Sequence, residues 1–133
     1  MKNNTHRFLL ATLVVLTVIG SASAVLAHHS FSAFNTTTEK TVTGTVKQVD
    51  WTNPHIWIWI DVANDKGGAD TYGFEGMSPN YLERRNWTRS TLKVGEKITV
   101  TYNPLRDGKN GGMFRNGKIE SNGKVLTMGG GQQ

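Results

Sequence analysis

The sequence predicts a mostly β protein, a five-stranded Greek-key barrel that carries one short helix between its third and fourth strands. Segments of alternating apolar and polar residues recur along the 133-residue chain, and turns rich in glycine and asparagine separate them. A helix signal occurs once, after the third segment. The first segment also breaks its alternation by one residue, as a strand does where a β-bulge bends it around a barrel.

The first predicted strand covers residues 40–50. Val42, Gly44 and Val46 share one face, because successive side chains of a strand point to opposite sides. Val49 is one residue out of step with them. We therefore expect a bulge in the second half of this strand, at the place where it bends.

The second predicted strand, residues 55–62, has the strictest alternation in the chain, and a proline turn at residues 51–54 precedes it. The face expected to lie inside the barrel is β-branched: Ile56, Ile58, Ile60 and Val62. The opposite face carries aromatic and ionisable side chains: His55, Trp57, Trp59 and Asp61. We expect this second set on the outer surface of the barrel.

A hairpin loop at residues 64–68 leads to a third predicted strand at residues 70–75. Ser78 is then suited to cap a helix, and Pro79 suits its first position because proline has no amide hydrogen to leave unpaired. The body of this short helix is predicted at residues 80–85.

The fourth strand is predicted at residues 97–102, and the last element is a strand or hairpin at residues 113–128 with a tight turn at Asn122-Gly123. The inward face of the fourth strand is apolar: Ile98, Val100 and Tyr102. The order of elements is therefore β-β-β-α-β-β, which is that of the OB-fold. A generic β-sandwich is the alternative, and the single helix argues against it.

Residues 1–27 are typical of a bacterial secretory signal peptide. Lys2 and Arg7 make the start of this segment positive, and no acidic residue opposes them. The apolar run at residues 8–19 is shorter than the roughly 20 residues that a membrane-spanning helix needs. We therefore expect a Sec-type signal, a periplasmic or secreted protein, and no stable membrane insertion after cleavage.

Two cleavage sites fit the small residues that end the signal, one after Ala24 and one after Ala27, and we favour the second. The rest of the chain then divides into three parts. These are an N-terminal arm at residues 28–39, a barrel domain at residues 40–128 and a flexible tail at residues 129–133.

The net charge of the chain is +5, and part of it lies in the signal segment. Residues 28–133 hold 13 basic and 10 acidic side chains, a net charge of +3, which argues against a nucleic-acid partner. The chain has no cysteine, so we expect neither a cysteine-linked lipid anchor nor a disulfide. The common hydrolase, metalloprotease and phosphate-loop motifs are also missing from the sequence, so we expect binding without catalysis.

Short motifs are spread over nearly the whole predicted mature chain. They are Ala27-His-His-Ser-Phe31, Gly44-Thr-Val46, Trp51-Thr-Asn-Pro-His-Ile-Trp57, Phe74-Glu75, Ser78-Pro79, Trp87-Thr88 and Leu92-Lys-Val-Gly95. In these motifs and their spacing the chain resembles a family of small exported bacterial proteins that is known only as a domain of unknown function. The resemblance implies export and an OB-like barrel, and it implies no reaction.

Three histidines, His28, His29 and His55, are candidate metal ligands. Cleavage after Ala27 makes His28 the first residue, so that its α-amine and its ring nitrogen Nδ1 can close one chelate ring on a metal ion. His29 and His55 would add imidazole nitrogens, and the Irving–Williams order puts copper(II) first for such a site. Copper is therefore the expected cofactor, and an exposed terminus that binds nothing is the alternative.

Trp57 and Trp59, with Asp61 beside them, form the second candidate site. The second and third strands make the usual ligand face of an OB-fold, where aromatic side chains stack on ligands. The alternative is that Phe31 and Phe34 of the arm, or a partner chain, cover the two indoles.

Three functions follow from these candidates. The first is a small exported protein that binds copper or a related metal through a mature N-terminal histidine, without catalysis. The alternative is a protein-interaction or small-ligand-binding module that uses the Trp57/Trp59 face. A small copper oxidoreductase is a third and least favoured function. The expected partner is a metal ion, a small ligand or another exported protein.

Overall fold

A computed structural model describes residues 31–128 of the chain. Its elements are β1 (Lys40–Asp50), β2 (Trp57–Ala63), β3 (Ala69–Glu75), α1 (Pro79–Glu83), β4 (Lys97–Pro104), β5 (Gly111–Ile119) and β6 (Val125–Thr127). The predicted signal peptide, the start of the predicted arm and the tail lie outside the described residues. The predicted division of the chain into these parts stays a prediction.

The strands close into a mixed barrel. β1 pairs antiparallel with both β2 and β4, β2 pairs with β3, and β4 pairs with β5. A parallel contact between β3 and β5 closes the ring. This confirms the predicted five-stranded, OB-like barrel with one short helix between strands three and four. β6 is a sixth strand, outside the ring, that pairs with the second half of β5 and completes the predicted last hairpin.

β1 changes partner along its length, because its first half pairs with β4 and its second half with β2. The register with β2 moves from Val46 opposite Ile60 to Gln48 opposite Trp59, which leaves Lys47 as an extra residue. This irregularity is the bulge that the sequence predicts. It bends β1 so that one strand serves two neighbouring sides of the barrel.

Two glycines at the start of β5 let this strand approach both of its neighbours, β3 at Gly111 and β4 at Gly112. A Cβ atom on Gly111 would lie 1.9 Å from the carbonyl oxygen of Gly73, and one on Gly112 would lie 2.0 Å from that of Asn103. Both distances are far below van der Waals contact, so no side chain fits at either position. Gly111 also has a φ of 124°, a backbone conformation that other residues rarely adopt.

The predicted inward faces fill the barrel. Fully buried side chains come from β1 to β4, from the helix and from residues beside β2 and β6, and the largest are Phe74, Ile56, Ile58, Ile60, Leu82 and Ile98. Val62, at the end of β2, is only partly buried. The core therefore consists of aliphatic and aromatic side chains that pack from every wall, which is what a domain without disulfides requires.

The helix begins as predicted and ends early. The side chain of Ser78 accepts a hydrogen bond from the Tyr81 amide at 3.4 Å, and Pro79 is the first helical residue. The helix ends at Glu83, two residues before the predicted end. Asn86 adopts a left-handed conformation with a φ of 62°, which turns the chain back toward the barrel.

The segment before β1 is tied to the barrel by Phe34. Its side chain is buried, its backbone forms a bridge with Leu105, and the Asn35 amide donates to the Pro104 carbonyl at 2.8 Å. Phe31, by contrast, is 60% exposed. Within residues 31–128, no helix has the length and hydropathy needed to cross a membrane.

We predict that Gly111→Ala destabilises the protein far more than Gly108→Ala. Both positions have a positive φ, but a Cβ on Gly108 meets no atom within 4 Å. Gly108→Ala should therefore cost only backbone strain, about 1 kcal/mol, whereas Gly111→Ala should cost at least about 3 kcal/mol because the strands must separate. Urea unfolding of the two variants measures the difference, and equal losses would contradict this account of closure.

Candidate functional site

The outer face of β1, β2 and β3 brings the predicted aromatic residues together with polar neighbours. Strand register arranges this surface, which we call the outer face, in three rows across the strands. The rows are Asp50–Trp57–Glu75, Gln48–Trp59–Gly73 and Thr45–Asp61–Thr71. Residues directly opposite each other in antiparallel strands have Cβ atoms about 4.5–5.5 Å apart, so the members of a row are neighbours.

Trp59 occupies the middle of the outer face in a fixed orientation. A Cβ on Gly73 would lie 2.4 Å from Cζ3 of Trp59, so the indole lies directly over the β3 backbone. The indole Nε1–H donates to Oδ2 of Asp50 at 2.9 Å. One edge of the ring is therefore held by a carboxylate, and one face is supported by a residue that has no side chain.

Trp57 stacks on Trp59. The ring centroids are 5.4 Å apart and the ring planes differ by 16°. Both side chains are partly buried, in contrast to the fully buried isoleucines that alternate with them. Phe34, a candidate cover for the indoles in the sequence analysis, is itself buried, and its backbone forms a bridge with Leu105, one residue after β4. The outer face thus presents a pair of parallel indoles that remain partly accessible.

His55 lies two residues before the start of β2, and its neighbour on β3 is Glu75. The ring nitrogen Nδ1 of His55 contacts Oε1 of Glu75, and the two side chains are 36% and 16% exposed. The chain around His55 is fixed as well, because the Ile56 amide donates to the Met77 carbonyl at 3.1 Å. With Nδ1 committed to the carboxylate, Nε2 is the ring nitrogen that remains for another partner.

Asp61 lies on the far side of Trp59 from His55. Its Oδ1 accepts from Oγ1 of Thr71 at 2.6 Å and from Nζ of Lys47 at 3.3 Å. The Thr71 hydrogen bond lowers the pKa of the Asp61 carboxyl, desolvation opposes that shift, and the hydrogen bond and charge of Lys47 lower the pKa further. Lys47 is the bulge residue of β1, so the bulge supplies the cation that holds Asp61.

The candidate metal ligands are only partly described. His28 and His29 lie outside the described residues. Within residues 31–128, no group of three or more histidine, cysteine, aspartate or glutamate side chains is placed to hold a metal ion. Of the three candidate histidines, His55 is the one that lies within the described residues, and the structure brings it together with Glu75.

Sequence reasoning missed the four neighbours of the two indoles in the first two rows of the outer face: Gln48, Asp50, Gly73 and Glu75. The hairpin loop between β2 and β3 was a usable signal for two of them, because it sets the register that places Glu75 opposite Trp57 and Gly73 opposite Trp59. Asp50 and Gln48 depend on the position of the bulge, which alternation alone locates only approximately.

A family model matches residues 15–115, which include β1, β2, β3, the helix, β4 and the first half of β5. The chain belongs to a family of unknown function, DUF6152. No curated protein and no solved structure matches the chain. The name DUF6152 carries no activity, so a function for the chain must be argued from the outer face itself.

Proposed function

We propose that this DUF6152 chain is a small exported binding protein that holds a small ligand on the outer face, through Trp57 and Trp59. The single observation that carries the proposal is the stacked, partly accessible indole pair on β2. The second and third strands of an OB-fold are its usual ligand-binding surface. A large aromatic pair at that position is more costly than a polar surface unless something covers or uses it.

The indole pair is pre-organised. Gly73 supports the face of Trp59, Asp50 holds its edge, and Trp57 stacks against it. A ligand that stacks on this surface therefore does not have to order the side chains first, which removes part of the entropic cost of binding. Stacking on an aromatic side chain contributes about 1–3 kcal/mol in aromatic binding surfaces.

The charge of the outer face argues against nucleic acid as the ligand. Asp50, Asp61 and Glu75 carry three carboxylates, and Lys47 is the cation that pairs with Asp61. Phosphate groups bind where lysine and arginine outnumber acids. A sugar, a nucleoside or an organic cation meets no such repulsion.

We predict that Trp57→Ala lowers ligand affinity at least tenfold, because one of the two stacking rings is lost. Isothermal titration with three probes, maltose, adenosine and choline, checks this. At least one probe should bind the wild-type chain. Val125→Ala is the matched control, because Val125 is an exposed apolar residue on β6.

Binding that is equally strong in Trp57→Ala and Val125→Ala would contradict the proposal. Failure of all three probes to bind the wild-type chain would also contradict it. Circular dichroism of each variant establishes that the barrel is folded, so a loss of binding reports on the indole and not on unfolding.

We propose metal binding as a second candidate function, with His28, His29 and His55 as ligands and copper(II) as the metal. The observation that favours it is the contact between Nδ1 of His55 and Glu75. Metal-binding histidines almost always donate their second ring nitrogen to a carboxylate, carbonyl or water, which orients the ring and raises its basicity. The expected α-amine of a mature His28 would complete a nitrogen-rich set that suits copper.

We predict that the exported protein begins at His28 and that its copper(II) affinity falls in His28→Ala and in His29→Ala. Glu75→Gln should lower the affinity about 10–100-fold, as loss of a partner of a ligating histidine does. Mass spectrometry of the exported protein gives its first residue, and isothermal titration gives the affinities. Glu39→Gln is the control, because Glu39 is an exposed acid that meets Arg115.

A mature chain that begins at Val25 would remove the terminal amine from His28 and contradict the copper proposal. Copper(II) affinities that do not differ among the wild type, the two histidine variants and Glu75→Gln would contradict it as well.

A further inference from the structure

We infer that the ligand of the outer face is a small organic cation with a quaternary ammonium group, which binds over Trp57 between the carboxylates of Asp50 and Glu75. The inference rests on the proposed function, since it names the class of ligand that the same surface takes. The juxtaposition that carries it is the first row of the outer face, in which an indole lies between two acids.

Register places the three side chains on the same side of the sheet. Trp57 is directly opposite Asp50 on β1 and directly opposite Glu75 on β3. Each acid is therefore a nearest cross-strand neighbour of the indole, one on either side. A cation is attracted to the face of an indole more than to any other aromatic side chain, and nearby carboxylates add to that attraction.

In the hydrogen bonds that the structure shows, Asp50 accepts from neutral donors and is not paired with a cation. Its two oxygens accept from Nε2 of Gln48 and from Nε1 of Trp59. These bonds hold the carboxylate at the edge of Trp59, which stacks on Trp57, and neither of them neutralises its negative charge. Asp61, by comparison, is paired with Lys47 at 3.3 Å, and Glu75 is paired with His55, so Asp50 is the one acid of the three that the structure shows bonded to neutral groups alone.

The hydrogen bonding of these acids favours a quaternary ammonium over a primary one. Each oxygen of Asp50 already accepts one hydrogen bond, and Glu75 is engaged by His55, so fewer acceptor positions remain for the N–H groups of a primary ammonium. A quaternary ammonium has no N–H groups to satisfy, and its methyl groups pack on an aromatic ring. A quaternary ammonium therefore binds through the negative charge of the acids and the ring of Trp57, and it needs no hydrogen-bond acceptor.

We predict that choline binds the mature chain at least about tenfold more tightly than its uncharged carbon isostere, dimethylbutanol. Tetramethylammonium should also bind, because the head group makes the contacts. Asp50→Asn should weaken choline binding about tenfold and leave the isostere unchanged, and choline affinity should fall as salt rises. Asp65→Asn removes the same charge from the exposed β2–β3 loop and serves as the matched control.

Equal affinity for choline and its isostere would overturn the inference, and so would unchanged choline binding in Asp50→Asn with the circular dichroism of a folded barrel. If maltose or adenosine binds in a Trp57-dependent manner while choline does not, the ligand class is wrong and the proposed function stands. If choline, maltose and adenosine all fail to bind, both the inference and the proposed function are wrong.

Discussion

The backbones of β3 and β5 meet at Gly73 and Gly111 so closely that a single added carbon would lie 1.9 Å from a carbonyl oxygen. Four antiparallel pairings join the strands in the order β3-β2-β1-β4-β5. The parallel pairing of β3 with β5 joins the two ends of this series and closes the ring. A side chain at Gly111 would hold the strands apart and open the barrel. The absence of two methyl groups, at Gly111 and Gly112, is thus what allows the apolar faces of all strands to enclose one core.

Gly73 connects barrel closure to the outer face. Its backbone meets β5 on one side, and the indole of Trp59 lies over it. The same residue therefore sets the position of β3 in the ring and provides the flat support on which the indole pair rests. The bulge at Lys47 acts in a similar way from β1, since it brings Asp50 opposite Trp57 and places its own amine on Asp61. Closure and the bulge together produce the row Asp50–Trp57–Glu75, which is the proposed ligand site.

The sequence predicted the barrel well because alternation is a local property. The isoleucines of β2, the bulge near Val49 and the Ser78 cap all followed from residue spacing, and the structure confirms them. The early helix end did not follow, because it depends on the left-handed backbone at Asn86. The acids beside Trp57 were also missed. They come from β1 and β3, so their proximity depends on register and on the bulge, which spacing within one strand does not encode.

The claim on which the account rests is that Gly73 supports a fixed, stacked pair of indoles. Far-ultraviolet circular dichroism tests it directly, because two stacked indoles couple and give an exciton couplet. The wild-type chain should show the couplet, and Gly73→Ala should lose it, since the added Cβ would meet Trp59 at 2.4 Å. Gly68→Ala should keep it, because a Cβ there has only ordinary contacts at 3.6 Å. A couplet that survives in Gly73→Ala, or that is missing from the wild-type chain, would contradict the account.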